Sequence, residues 1–224
     1  MEDIEIKNIW QSYDKKIEEA RLLNLQSWAL NLRCFETIQI QKAQSKLSSL
    51  SRFKIFAVAL GIGWVLFLGV LVYGNHFENI YFGISVSIIM LFSIFAIAVY
   101  IKHIILIKQI DYSESITNTQ KNLARLQLST INSTRIVWMQ LPFYTTWFWS
   151  SKWITDTGIN FWLTAFPVTL LFFLLAIFLY KNITIENMNK KWVTALMMAG
   201  PEYKSVLKAK EFISEIEEFK KDLI

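Results

Sequence analysis

Two histidines, one cysteine and a few polar residues inside apolar runs are the places where this 224-residue chain could do chemistry. His76 lies in the stretch GNHFEN, where it and Glu78 would offer a cation two ligands in one turn. A structural zinc takes four ligands and a catalytic one three, so this pair is short of a site. His103 stands beside Lys102 at the far end of an apolar run and reads as an interfacial side chain reaching toward water. Cys34 is the only cysteine, which excludes an internal disulfide, and it reads as a small apolar residue on a helix. The chain has no glycine-rich phosphate loop, serine elbow, HExxH pattern or Cys–His cluster. No catalytic residue, cofactor or metal ligand set is therefore expected, and the chain is read as non-enzymatic. The remaining polar candidates are Gln140, Thr145 and Thr146 in one apolar segment, and Ser85, Ser87 and Ser93 in another. Such groups either hydrogen-bond between helices, at about 0.6–2 kcal/mol each, or line a ligand or ion path. No ionisable residue falls in the core of any apolar run, which argues against ion-coupled transport.

The elements that carry these residues are set by hydropathy. A spanning helix needs about 20 predominantly apolar residues to cross a hydrocarbon core of roughly 30 Å. Residues 55–73, 79–101 and 161–180 meet this, and 136–154 is a weaker candidate interrupted by Gln140, Pro142 and Lys152. Charge decides the weaker case. Nine Lys or Arg precede residue 55, five lie between Lys102 and Arg135, eight follow Tyr180, and the short connections hold only Lys152. Positive residues near span ends stay cytoplasmic. Four crossings place every basic segment on one side, with both termini cytoplasmic. The expected fold class is all-α: a four-span transmembrane helix bundle, 53–180, with amphipathic cytoplasmic helices extending from it. Trp147, Trp149, Trp153 and Trp162 flank the second external turn, where amphipathic rings favour the interface. Trp64 falls mid-span and is expected between helices. Pro142 and Pro167 each remove a backbone donor and are expected to kink their spans. Ala57-x-x-x-Gly61, Ala59-x-x-x-Gly63 and Gly83-x-x-x-Ser87 have the small-residue spacing that lets helices approach closely.

Composition adds limits. The net charge of +5 is spread rather than clustered, so it orients the chain in the membrane and does not suggest nucleic acid. The opening MEDIEIKN is acidic and polar, unlike a cleavable signal. Asn132-Ser133-Thr134 and Asn182-Ile183-Thr184 match the glycosylation pattern, but both fall on the cytoplasmic side of this topology.

About half the chain remains for the cytoplasm. In 1–52, Ile6, Trp10, Tyr13 and Ile17 form one helical stripe, and Leu25, Trp28, Leu32 and Phe35 a second. The stripe fades and resumes at Leu47 and Leu50. No proline or glycine interrupts these residues, so the helix is expected to run straight into the first span. Residues 102–135 read as a helical hairpin: the second span continues to about Ile110, Asp111-Tyr112-Ser113 turns, and Ile116, Leu123 and Leu126 form the returning stripe. In the tail, 181–224, Trp192 and Leu196 are expected to extend the fourth span. After Gly200-Pro201 an amphipathic helix, 202–223, places Ala209, Phe212, Ile216, Phe219 and Leu223 on one face, with Glu217 and Lys221 at pairing distance. That face must be buried against the protein's own helices, a second copy, another protein or lipid.

The opening IKNIWQSYDKKI, through Ile6, Lys7, Trp10, Asp14 and Lys15, resembles that of small bacterial inner-membrane proteins, some of them encoded beside alternative sigma factors. The resemblance covers roughly the first 20 residues. It implies a multi-pass protein of the bacterial inner membrane with a regulatory role, and it brings no catalytic residue; the Cys–His zinc pattern of the better known anti-sigma domains is not present in this chain. Taken together, the sequence points to cytoplasmic helices that bind a protein partner or self-associate, with Trp10, Tyr13, Trp28, Phe35, Phe212, Ile216 and Phe219 as candidate contact residues. The alternative is an oligomeric channel or transporter subunit with Gln140, Thr145 and Thr146 along its path.

Overall fold

The computed structural model describes residues 2–75, 78–112, 116–156 and 158–221, with the side chains of 2–6, 220 and 221 left out. Every regular element in it is helical. His76, the Ser113 end of the predicted turn, Leu223 and the side chains of Ile6 and Lys221 lie outside what is described.

Helix α1 (Glu2–Gly74) is 73 residues long and unbroken. At 1.5 Å per residue it is about 110 Å from end to end. It passes from amphipathic stripe to apolar run without a hinge because no helix-breaking residue stands at the junction. Helix α2 (Ile80–Lys108) follows, capped by Asn79, whose Oδ1 accepts from the Phe82 N–H at 3.4 Å. It carries on past Lys102, as the continuing apolar run predicts. Helix α3 (Ile116–Val137) returns, and α2 and α3 form the expected hairpin.

The segment 136–154 differs from a simple span. The end of α3 passes into a 3-10 turn, Trp138–Gln140, then a short α4 (Leu141–Thr146), and after a break α5 (Ser151–Asp156). Pro142 is the cause. It has no N–H to give the preceding turn, and the Leu141 N–H bonds instead to the nearer Trp138 carbonyl. Helix α6 (Ile159–Asn182), by contrast, runs through Pro167 as one element. Three helices, α1, α2 and α6, are thus long and apolar enough to cross a membrane.

These helices do not close into a bundle. α1 packs along α2, α2 meets α4, and α4 meets α6, with no extensive α1–α6 contact among the described residues. The layer is a row. Lipid tails are as apolar as leucine, so apolar faces gain nothing from closing on one another, and specific contacts decide which helices meet. At Gly61 a Cβ would lie 3.0 Å from Ile97 Cγ1, so the Ala57–Gly61 pair serves the α1–α2 approach, whereas Gly63 faces open space. Trp64 also departs from expectation: it is 41 % exposed and leans on its own neighbour Phe67.

The tail corrects a second expectation. α6 stops at Asn182 and is not extended by Trp192 and Leu196. Ile183 leaves helical geometry, Asn187 Nδ2 donates to the Asn182 carbonyl at 3.1 Å, and a 3-10 turn, Ile185–Asn189, leads into a separate α7 (Lys191–Met198). Helix α8 (Pro201–Lys221) begins on its proline, where the missing N–H costs nothing. It lies antiparallel along α1 and also against α3.

Candidate functional site

A core outside the apolar layer forms where α1, α2, α3 and α8 meet. Ala43, Leu47 and Leu50 of α1, Leu123 and Leu126 of α3, and Val206, Ala209, Ile213 and Ile216 of α8 are buried together. The apparent fading of the α1 stripe between Phe35 and Leu47 is filled by Gln39 and Ala43. Gln39 is buried, and its Nε2 donates to Glu215 Oε2 at 2.6 Å, so a polar residue keeps the stripe's register. Tyr112 packs at the edge of this core, and burial pushes its phenol up to about 12.

Four of the seven candidate contact residues belong to this core. Phe35 stacks on Phe219, ring centroids 4.4 Å apart at 25°. Phe212 is half-buried with Lys42 Nζ 5.6 Å above its ring, and Ile216 is fully enclosed. The other three, Trp10, Tyr13 and Trp28, lie on the part of α1 that outruns α8. α8 is described only to Lys221, level with Phe35, and every residue from Lys7 to Asn31 is exposed. Trp10 is 67 % exposed, and Ile17 and Leu25 beside it are also uncovered. This free length is roughly 40 Å of helix. Its Trp10–Ile17–Trp28 stripe continues, at three- and four-residue steps, into Phe35, Gln39 and Ala43, the line on which α8 sits.

At the base of this core lies a polar cluster that sequence reasoning missed. Lys54 is completely enclosed, and its Nζ donates to Glu202 Oε2 at 2.7 Å. The Tyr100 hydroxyl donates to the other oxygen of Glu202, and Lys54 Nζ sits 4.0 Å above the Tyr100 ring. His103 is also fully buried, with Nε2 2.8 Å from Ser129 Oγ and Nδ1 without a partner. It does not reach toward water as predicted, because α3 covers it. The signal for Lys54 was present in the pattern: it stands four residues beyond Leu50, on the buried stripe itself.

In the apolar layer the predicted polar residues join neighbouring helices. Ser85 Oγ is 2.8 Å from Thr146 Oγ1, tying α2 to α4, and Thr145 Oγ1 donates to Thr169 Oγ1 at 2.9 Å, tying α4 to α6. The Gln140 side chain makes no hydrogen bond among the described residues and lines a cleft between α1, α2 and α4. At the opposite end Asn79 Nδ2 donates to the Trp149 carbonyl at 2.8 Å, and Trp149 and Trp153 both meet the edge of Phe161. Among the described residues no three His, Cys, Asp or Glu side chains gather as a metal site.

The chain matches no known family model, and no curated protein or solved structure shows significant similarity to it.

Proposed function

We propose that this is a non-enzymatic protein of the bacterial inner membrane that crosses the bilayer four times, keeps both termini in the cytoplasm, and uses the free end of α1 to dock a cytoplasmic protein. The docked protein is regulated, in the manner of an anti-sigma factor, or scaffolded at the membrane. The observation that carries this reading is the uncovered apolar stripe of Trp10, Tyr13, Ile17 and Trp28, collinear with a stripe that α8 covers lower down. An amphipathic helix that long has most of its stability to gain from burying its face. A helix-in-groove or helix-on-helix partner reads such anchors one turn apart. The resemblance of the opening residues to inner-membrane proteins encoded beside sigma factors fits this end of the molecule.

Four crossings are supported by contacts along α6. Arg135 lies 4.3 Å over the Tyr180 ring near one end, Thr145 bonds Thr169 midway, and Trp149 meets Phe161 at the other end. The broken segment therefore travels the length of α6. The charge distribution supports a cytoplasmic side for α8 and the free end of α1.

The test is photo-crosslinking in cells from a probe at Asp14 or Asn24, exposed positions beside the stripe, with recovery of the intact protein in detergent. A discrete protein adduct, lost in Trp10→Asp/Ile17→Asp/Trp28→Asp, is expected. Adducts unchanged by that triple substitution would overturn the reading.

A further inference from the structure

Helix α8 answers the two long polar residues in the covered part of the α1 stripe with glutamates. Lys54 Nζ donates to Glu202 Oε2 at 2.7 Å, and Gln39 Nε2 donates to Glu215 Oε2 at 2.6 Å. Between them Ala43, Leu47 and Leu50 share one core with the apolar side chains of α8. A cation or an amide is tolerated in that line because a carboxylate replaces the water it gives up.

The line does not stop where α8 does. Eleven residues make three turns of helix to within about 20°, and eleven-residue steps lead from Lys54 through Ala43, Leu32 and Arg21 to Trp10. Arg21 is thus the counterpart, in the free length, of Lys54 in the covered length. It bounds a shallow groove with Ile17, Ala20, Asn24, Leu25 and Trp28, all of them exposed. Among the described residues Arg21 makes no ion pair, with Glu18 one turn away or with any other carboxylate.

This cation discriminates among the occupants open to an apolar face. An unbroken helix that enters the apolar layer at Ile55 holds Trp28 about 40 Å from that layer, so the stripe does not lie on the same lipid surface. A second copy in the same membrane would bring a parallel α1. In-register contact would set Arg21 against Arg21, and below Phe35 the line is already taken by α8. The occupant that fits is a helix of about 25 residues that ends near Phe35 and carries a carboxylate within its own apolar stripe.

We infer that the docking partner presents an acidic amphipathic helix, laid end to end with α8, whose Asp or Glu meets Arg21 while its apolar side chains pack on Trp10, Ile17 and Trp28. The inference rests on the docking role of α1 proposed above. A guanidinium takes a carboxylate by two parallel hydrogen bonds, and covering it without one would strip a charge of water with nothing in return. Asn24, one turn on, offers its amide donors to a second acceptor.

The experiment is crosslinking in cells from a benzophenone probe at Asp14, with the intact protein recovered in detergent and the crosslinked peptide sequenced by mass spectrometry. An adduct to another protein is expected, on a segment that carries Asp or Glu among apolar residues at three- and four-residue steps. Arg21→Glu is expected to lower its yield at least about tenfold, because an ion pair becomes two like charges. Arg21→Lys, which keeps the charge and loses the fork, is expected to fall between. Arg21 is exposed, so both variants should be recovered from detergent at the level of the unaltered protein. An adduct lost in Trp10→Asp/Ile17→Asp/Trp28→Asp but unchanged in Arg21→Glu overturns the acidic partner and leaves the docking role standing. An adduct to a second copy of the chain, or to lipid, overturns it as well. Absence of any adduct overturns both readings.

Discussion

Lys54 and Glu202 are 148 residues apart in sequence, yet Nζ and Oε2 meet at 2.7 Å at the foot of the core between α1, α2, α3 and α8. Lys54 ends the buried stripe of α1, Glu202 opens α8, and Tyr100 of α2 completes the cluster by donating to Glu202. The pair fixes the register of α8 along α1 from its first turn. Burying one ion alone is far more costly than burying the pair, because the partner supplies the charge and hydrogen bonds that water gave up.

Glu202→Gln or Lys54→Met is therefore expected to destabilise the packing of α8 by about 3–5 kcal/mol, since each leaves an uncompensated buried group. Lys54→Met combined with Glu202→Leu is expected to recover most of the loss. Thermal unfolding in detergent, with limited proteolysis of α8, measures both. Equal losses in the single and double variants would show that the pair contributes nothing of its own.

Hydrogen exchange is expected to divide α1 into two regimes. Backbone amides of residues 7–31, without tertiary cover, exchange at the rate of a fraying helix, while those around Ala43, Leu47 and Leu50 exchange at least about a hundredfold more slowly. Uniform protection along α1 in the isolated protein would mean that the free end is already covered.

The topology is open to a direct test through Cys34, which is free and exposed. A membrane-impermeant maleimide is expected to label it in inverted vesicles and not in intact spheroplasts. In a Cys34→Ser background, Asn160→Cys is expected to show the opposite pattern, because Asn160 opens α6 at the far side from Tyr180. Labelling of both from one side is incompatible with the proposed crossings.

The hydroxyl ties between the helices of the apolar layer are expected to be modest. A double-mutant cycle on Ser85→Ala and Thr146→Val should return a coupling of about 0.6 kcal/mol, with about 2 kcal/mol as the ceiling for such bonds in membranes. Loss of more than that would assign these residues a larger role than helix pairing.

Gly61→Leu is expected to separate α1 from α2, because even a Cβ there meets Ile97 at 3.0 Å. Gly63→Leu, with open space around it, is expected to be tolerated. Disulfide trapping between cysteines placed on the two helices distinguishes the outcomes.

Much of this architecture was written in local patterns. Uncharged apolar runs specify α1, α2 and α6 as helices able to span a bilayer, since lipid leaves a backbone no other way to satisfy its polar groups. The unbroken passage from Glu2 to Gly74 followed from the lack of proline or glycine before Gly61, and the start of α8 from Pro201. The tertiary structure alone decided how these elements meet. It broke the segment after Val137 at Pro142, set the spans in a row, folded α8 back onto α1, and so divided the candidate contact residues into an internal set around Phe35, Phe212, Ile216 and Phe219 and a free set at Trp10, Tyr13 and Trp28. It also turned Lys54, one basic residue among nine before the first span, into the partner of a glutamate far along the chain. Periodicity reports which face of a helix is apolar, because that depends only on neighbours within a few turns. Which partner covers the face depends on contacts between residues distant in sequence, and no local pattern carries that information.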